Sequence, residues 1–145
     1  MRLFLDSSVL LAASGSELVA SREIFRRAGD CDWSLLASSY VVGEVLANLP
    51  DVSPTAKANW SRLRLQLALV DDVLTLDRAA VFEAAKDRPI LFSALAWSDV
   101  LLTLDRADFG ALLGGTFYGL SILTPGKFLE RERAAGGLPE DSSSS

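Results

Sequence analysis

Leu3-Phe4-Leu5-Asp6-Ser7-Ser8-Val9-Leu10-Leu11-Ala12 decides the fold. Three apolar residues, an acid, two serines and a second apolar run read as a short buried strand that ends at Asp6 and enters a helical turn. The same alternation recurs downstream. Ser16 through Phe25 predicts a helix closing at Ala28-Gly29-Asp30, and Trp33 to Ala37 predicts a strand. Ser38 and Ser39 are placed to cap a helix carrying Val41, Val42, Val45, Leu46 and Leu49, which Pro50 ends. Ser53-Pro54 predicts the cap and first turn of a helix through Trp60, Leu63 and Leu67. Val70 to Leu76 predicts a strand, and Asp77 starts a helix over Ala79 to Ala85. Asp87-Arg88-Pro89 opens a helix through Trp97, Val100 to Leu104 is a buried strand, and Asp105 to Leu113 is a turn and short helix broken by Gly114-Gly115. Leu120 to Leu123 is the last strand, with Pro125 as the first turn of a helix to about Ala135. Strands alternating with helices define an α/β fold with a mostly parallel sheet, one domain over residues 1–135. Residues 136–145 have the composition of a disordered tail.

A chain of 145 residues with 50% apolar side chains is enough for one core. It has no histidine and one cysteine, which excludes a Ser-His-Asp triad, a His-rich zinc centre and a disulfide framework. Cys31 reads as a small, partly buried apolar side chain with no role. No apolar run approaches the roughly 18–20 residues that span a bilayer, and Asp6 arrives too early for a signal-peptide core, so the expectation is a cytoplasmic protein with no membrane contact. The net charge of −5 argues against the broad basic surface of ordinary nucleic-acid binders. Carboxylates clustered around a divalent cation would invert the field locally, so a phosphate ligand stays open.

Ligands of an open parallel sheet bind beyond the carboxyl ends of its strands. Asp6 ends the first strand and Asp105 follows the Val100–Leu104 strand, so both reach that crevice. Asp87 heads the helix feeding the second of these strands, and Glu44 lies on the flank of its helix's apolar stripe, at a pocket rim. Any hydrolysis by such residues would rest on carboxylates holding a hard cation, Mg²⁺ or Mn²⁺. Each aspartate taken alone reads equally well as a helix N-cap, a use this chain also makes of Asp77 and Asp108. Trp33, Trp60 and Trp97 read as core or interface, and Arg22, Arg26, Arg27, Arg62 and Arg64 as solvated helix faces that could also track an RNA backbone.

In sequence order, the runs Leu3–Leu10, Val41–Leu46, Lys86–Leu91 and Leu101–Phe109 resemble the four acidic blocks of the PIN-domain family, and Ile122–Leu129 is similar to its last strand and helix. The resemblance spans residues 1–131 and rests on the order and spacing of all five blocks. It implies a PIN-like three-layer α/β/α sandwich and an endoribonuclease that needs Mg²⁺ or Mn²⁺. It further implies Asp6, Glu44, Asp87 and Asp105 as the catalytic, metal-binding acids and Asp108 as a further metal-binding acid. Ser7 or Ser8 and Thr103 match polar positions lining the site. Small single-domain members are often VapC-type toxins encoded beside an antitoxin and form homodimers. The implied partners are therefore an RNA substrate, a cognate antitoxin and a second copy of the chain.

With water as nucleophile, such a site needs no histidine base and leaves 5′-phosphate and 3′-hydroxyl ends. Two other readings compete: a PIN-like scaffold that grips a partner near Trp60, Leu63 and Leu67, and a phosphotransferase with Asp6 as nucleophile. Against the latter, Ser8 stands where such enzymes often place a second acid.

Overall fold

The computed structural model describes residues 1–73 and 88–138 of the chain. In chain order the elements are β1 (Arg2–Leu5), α1 (Ser7–Gly15), α2 (Ala20–Ala28), β2 (Ser34–Ser38), α3 (Ser39–Asn48), α4 (Ala56–Leu63), β3 (Leu67–Val70), α5 (Arg88–Trp97), β4 (Val100–Leu102), α6 (Arg106–Phe109), β5 (Thr116–Phe117), β6 (Leu120–Leu123) and α7 (Pro125–Ala134). Short 3-10 turns occupy Leu49–Asp51 and Arg64–Gln66. The strands form one sheet in the order β3-β2-β1-β4-β6-β5, parallel at every pairing except β5 with β6.

The apolar runs explain why β1 and β4 lie at the centre of that sheet. Successive strand side chains point to opposite faces, so Leu3, Phe4 and Leu5, all fully buried, require cover on both sides. Val100, Leu101 and Leu102 are buried in the same way. Each such side chain contributes about 1.5–3 kcal/mol by leaving water, and helices packed on both faces make the molecule a three-layer α/β/α sandwich. Among the described residues no helix is long and apolar enough to cross a membrane.

Local chemistry moves several boundaries from those expected. The Ser16 hydroxyl accepts a hydrogen bond from the Leu18 backbone N–H, a turn that competes with helix, and α2 begins only at Ala20. Thr55 holds the N-cap position of α4; Ser53 lies before it, its carbonyl accepting from Ala56 N–H at 3.2 Å and its hydroxyl buried without a partner. The third strand occupies Leu67–Val70 rather than starting at Val70. It is a sheet-edge strand with Leu69 58% exposed, so the apolar run read as its core lies partly beyond it. Residues 74–76 of that expected strand, the expected helix over 79–85 and Asp87 lie outside the described residues.

β4 stops at Leu102 because Thr103 turns its hydroxyl into a site described below, leaving Leu104 exposed. The two-residue β5 is absent from the sequence reading. It forms because Tyr118 and Gly119, at φ 48° and 86°, make the two left-handed central positions of a tight hairpin turn that pairs Phe117 with Leu120. At the other end, Gly136 at φ 78° closes α7: Gly137 N–H bonds to the Glu132 carbonyl at 2.8 Å and Gly136 N–H to that of Arg133 at 3.1 Å. That reversal returns Leu138 to the core, 4% exposed, where the composition of its surroundings suggested a tail.

Candidate active site

The carboxyl ends of the three central strands are joined by backbone bonds beyond the sheet pairings. Asp6 N–H donates to the Leu102 carbonyl at 3.0 Å, and Thr103 N–H donates to that of Leu123 at 3.0 Å. The first residues past β1, β4 and β6 therefore share one edge, where ligands of parallel sheets bind.

Asp6 sits there, only 3% exposed, as the N-cap of α1 in extended conformation. Its Oδ1 accepts from Ser7 N–H at 2.7 Å, and its Oδ2 accepts from Ser8 Oγ at 2.9 Å and Thr103 Oγ1 at 2.7 Å. The two hydroxyls are held in turn. Thr103 Oγ1 accepts from Asp105 N–H and Ser8 Oγ from Leu104 N–H, both at 3.0 Å. Each hydroxyl thus accepts one amide proton and donates its single proton to the carboxylate. The loop from Thr103 to Asp105 and the first turn of α1 thus fix Asp6 in one orientation.

Burial pushes the Asp6 carboxyl above its ordinary value of 3.8. The bonds from Thr103, Ser8 and Ser7 pull the other way, and the negative charge of Asp105 adds to the rise. Glu44, half-buried on α3, completes the group. Ser7 Oγ lies 3.4 Å from both Asp6 Oδ1 and Glu44 Oε1, and its one proton serves only one of them at a time.

The structure thus places three of the sequence-derived acids, Asp6, Glu44 and Asp105, with Ser7, Ser8 and Thr103 among them. Asp87 and the side chain of Asp108 lie outside the described residues. Among the described residues no three acid, histidine or cysteine side chains come close enough together to hold a metal ion as they stand. The oxygen-only donor set, with two carboxylates near enough to repel, fits the chemistry of a hard divalent cation. Capping and chemistry are not exclusive at Asp6, which does both.

Several other candidates are structural. Trp33 and Trp60 are core residues, and Trp97 donates its indole N–H to the Asp71 carbonyl. Arg22 is buried with Nε bonded to the Ala13 carbonyl at 2.7 Å, which places it against the last turn of α1 and removes it from any RNA track. Arg26 and Arg27 both bond to Glu23, and Arg62 bonds to Asn59. The half-buried Cys31 has its thiol pushed up by burial, the opposite of an activated nucleophile. The basic residues that do line a cleft at the site's edge, Arg106, Lys127 and Arg131, lie apart in sequence and gave no local signal.

No family model matches the chain, and no curated protein matches it by sequence. Among solved structures, the chain is similar to one in the complex of VapBC2 from Rickettsia felis bound to a DNA fragment from its promoter. The TM-score is 0.58 at 16% identity, covering 84% of this chain and 97% of that one. That likeness, with the strand order and central parallel sheet, establishes the PIN-like α/β fold.

Proposed function

We propose that the protein is a Mg²⁺- or Mn²⁺-dependent endoribonuclease and the toxin member of a toxin–antitoxin pair. The observation that carries this reading is the fixation of a buried carboxylate, Asp6, by Ser7, Ser8 and Thr103 beside Asp105 and Glu44. Donors from three residues offset part of the cost of burying the charged form of this carboxylate. The likeness to VapBC2 supports the toxin reading, and the resemblance of the acidic blocks to the PIN-domain family, whose small members are often VapC-type toxins, agrees with it.

Asp6, Glu44 and Asp105, with Asp87 and Asp108, would hold the cation, which when bound supplies an activated water and offsets charge on the phosphodiester. The chain's own groups prepare this. Hydrogen bonds from Thr103 and Ser8 favour the ionised Asp6 against the burial that opposes it. Ser7 ties Glu44 to the same locus, and the closed backbone edge keeps bulk water from Asp6. Attack by water predicts 5′-phosphate and 3′-hydroxyl products.

Cleavage of a mixed RNA pool with Mg²⁺, Mn²⁺ or EDTA, comparing wild type with Asp6→Asn, tests the proposal. Asn retains N-cap capacity, so the fold is preserved while the charge is lost. Metal-dependent cleavage absent from the variant is the expected result; equal inertness of both, or cyclic 2′,3′-phosphate products, would overturn it. A cognate antitoxin and a homodimer belong to the same proposal. Exposed Leu65 and Leu69, lining a hollow of about 430 Å³ between α4 and β3, favour a protein contact there. The same surface is what favours the second reading, a non-catalytic scaffold, which metal-independent binding without cleavage would support.

A further inference from the structure

Beside the acidic site lies a cleft of about 610 Å³ between α6, the end of β6 and the first turns of α7. Arg106, Lys127 and Arg131 line it with one acid, Glu130. With Glu132, which pairs with Arg131, counted beside Glu130, three cations against two anions still leave a local surplus of positive charge in a chain whose net charge is −5. We propose that this cleft binds the phosphates of a single-stranded RNA, holding the strand beside the scissile bond. The proposal rests on the ribonuclease reading and names the subsite that would grip its substrate.

Position supports the assignment. Arg106 follows Asp105 directly, and Thr124, which also lines the cleft, follows the β6 strand end bonded to Thr103 N–H. Neighbouring strands stand about 4.8 Å apart, so the β6 end is on the order of 10 Å from the β1 end that carries Asp6. A short length of extended single strand reaches from one to the other.

The state of the side chains supports it too. Arg106 is exposed. Lys127 Nζ is 3.3 Å from Glu130 Oε2, but both side chains are about two-thirds exposed or more, 71% and 67%. Such a surface pair contributes little and yields to a phosphate. Arg131 is steadied by the face of the Phe128 ring, 5.5 Å from the guanidinium carbon to the ring centroid. Its Nη2 lies 3.6 Å from Glu132 Oε1, a long ion pair that leaves the other guanidinium donors for phosphate oxygens. The apolar part of the wall, Leu113 and Leu123, offers sugar and base a contact that carries no sequence code.

The test is binding of a dye-labelled, mixed-sequence single-stranded RNA by fluorescence anisotropy over a salt series. Asp6→Asn serves as the uncleaving background. It is compared with Asp6→Asn carrying Arg106→Ala and Lys127→Ala, and with a charge-matched control carrying Arg2→Ala and Lys57→Ala, neither of which lines the cleft. Loss of two phosphate contacts should weaken binding about tenfold at low salt and reduce the slope of log K against log salt by about 1.4. The control should match the background. A cleft variant that binds like the control with the same slope overturns the proposal, as does absence of RNA binding by the background. Cleavage by the otherwise wild-type chain separates the two claims. A cleaving enzyme whose binding ignores the cleft substitutions refutes the subsite alone, whereas cleft-dependent binding without metal-dependent cleavage refutes the ribonuclease reading and keeps the site.

Discussion

Thr103→Val isolates the hydrogen bond on which the Asp6 geometry depends. Valine keeps the branched shape of threonine in a fully buried position, so the change removes the hydroxyl with little change in volume. Lost with it are the 2.7 Å bond to Asp6 Oδ2 and the acceptor for Asp105 N–H. A bond to a charged group contributes about 1.5–3 kcal/mol, and Asp6 keeps Ser8 and Ser7 as donors, so a net loss of about 2 kcal/mol is expected at neutral pH. For a chain of this size that lowers Tm by about 4–8 °C. The effect has a defined pH dependence. The Thr103 bond lowers the Asp6 pKa, so its removal raises the folded-state value further above 3.8. The difference between the proteins is complete above both folded-state values and fades as pH falls through them, because protonated Asp6 no longer needs the donor. Urea unfolding at neutral and acidic pH measures this, with Thr103→Ser as the rescue that restores the hydroxyl. A loss below about 0.5 kcal/mol at neutral pH, or a loss that persists undiminished in acid, would refute the argument that this bond serves the charged carboxylate.

Removing a like charge should act oppositely: Asp105→Asn, which takes away one cause of the raised Asp6 pKa, should leave the metal-free protein as stable as wild type or more so in thermal melts at neutral pH, and a clear loss would mean that Asp105 is chiefly structural. Because raised pKa values store a penalty that is absent below 3.8 and grows as pH rises through the folded-state value, wild type should gain stability on acidification towards that range before general acid unfolding sets in. Saturating Mg²⁺ should raise the melting temperature by mass action, equivalent to about 2.7 kcal/mol at a hundred times Kd, and Asp6→Asn should abolish the rise. Gly119→Ala meets no atom within 4 Å of the added Cβ, so its cost is the left-handed backbone alone, about 1–2 kcal/mol in urea unfolding with no change in RNA cleavage.

Legibility in the sequence followed burial. β1, β4 and β6 could be read because their residues pack on a covered sheet and form uninterrupted apolar runs. Asp6 could be placed because it directly follows such a run, whereas Thr103 falls inside the expected Val100–Leu104 strand and only the family resemblance pointed to it. The edge strand β3 was misplaced for the complementary reason: half-exposed, it lacks a distinct pattern among Leu63, Leu65, Leu67 and Leu69. β5 escaped notice because its signal is one turn, Tyr118-Gly119, with an atypical first residue. Ser53-Pro54 misled because Thr55, another competent cap, lies two residues after Ser53. Asp6, Glu44 and Asp105 stood out as acids in the sequence, but the hydroxyls that bond to them were not separable. It is the fold that brings Ser8 and Thr103 to one oxygen of Asp6 and sets Ser7 between two acids.

Asp6 and the threonine that completes its environment stand 97 residues apart. On a ribosome adding about 5–20 residues per second, Thr103 is made roughly 5–20 s after Asp6, and the pairing of β4 with β1 waits equally long. During that interval the half-finished product has one edge of Leu3-Phe4-Leu5 without its β4 neighbour and a carboxylate lacking the Thr103 donor, so an apolar strand edge stays open to misassembly until the last third of the chain is made.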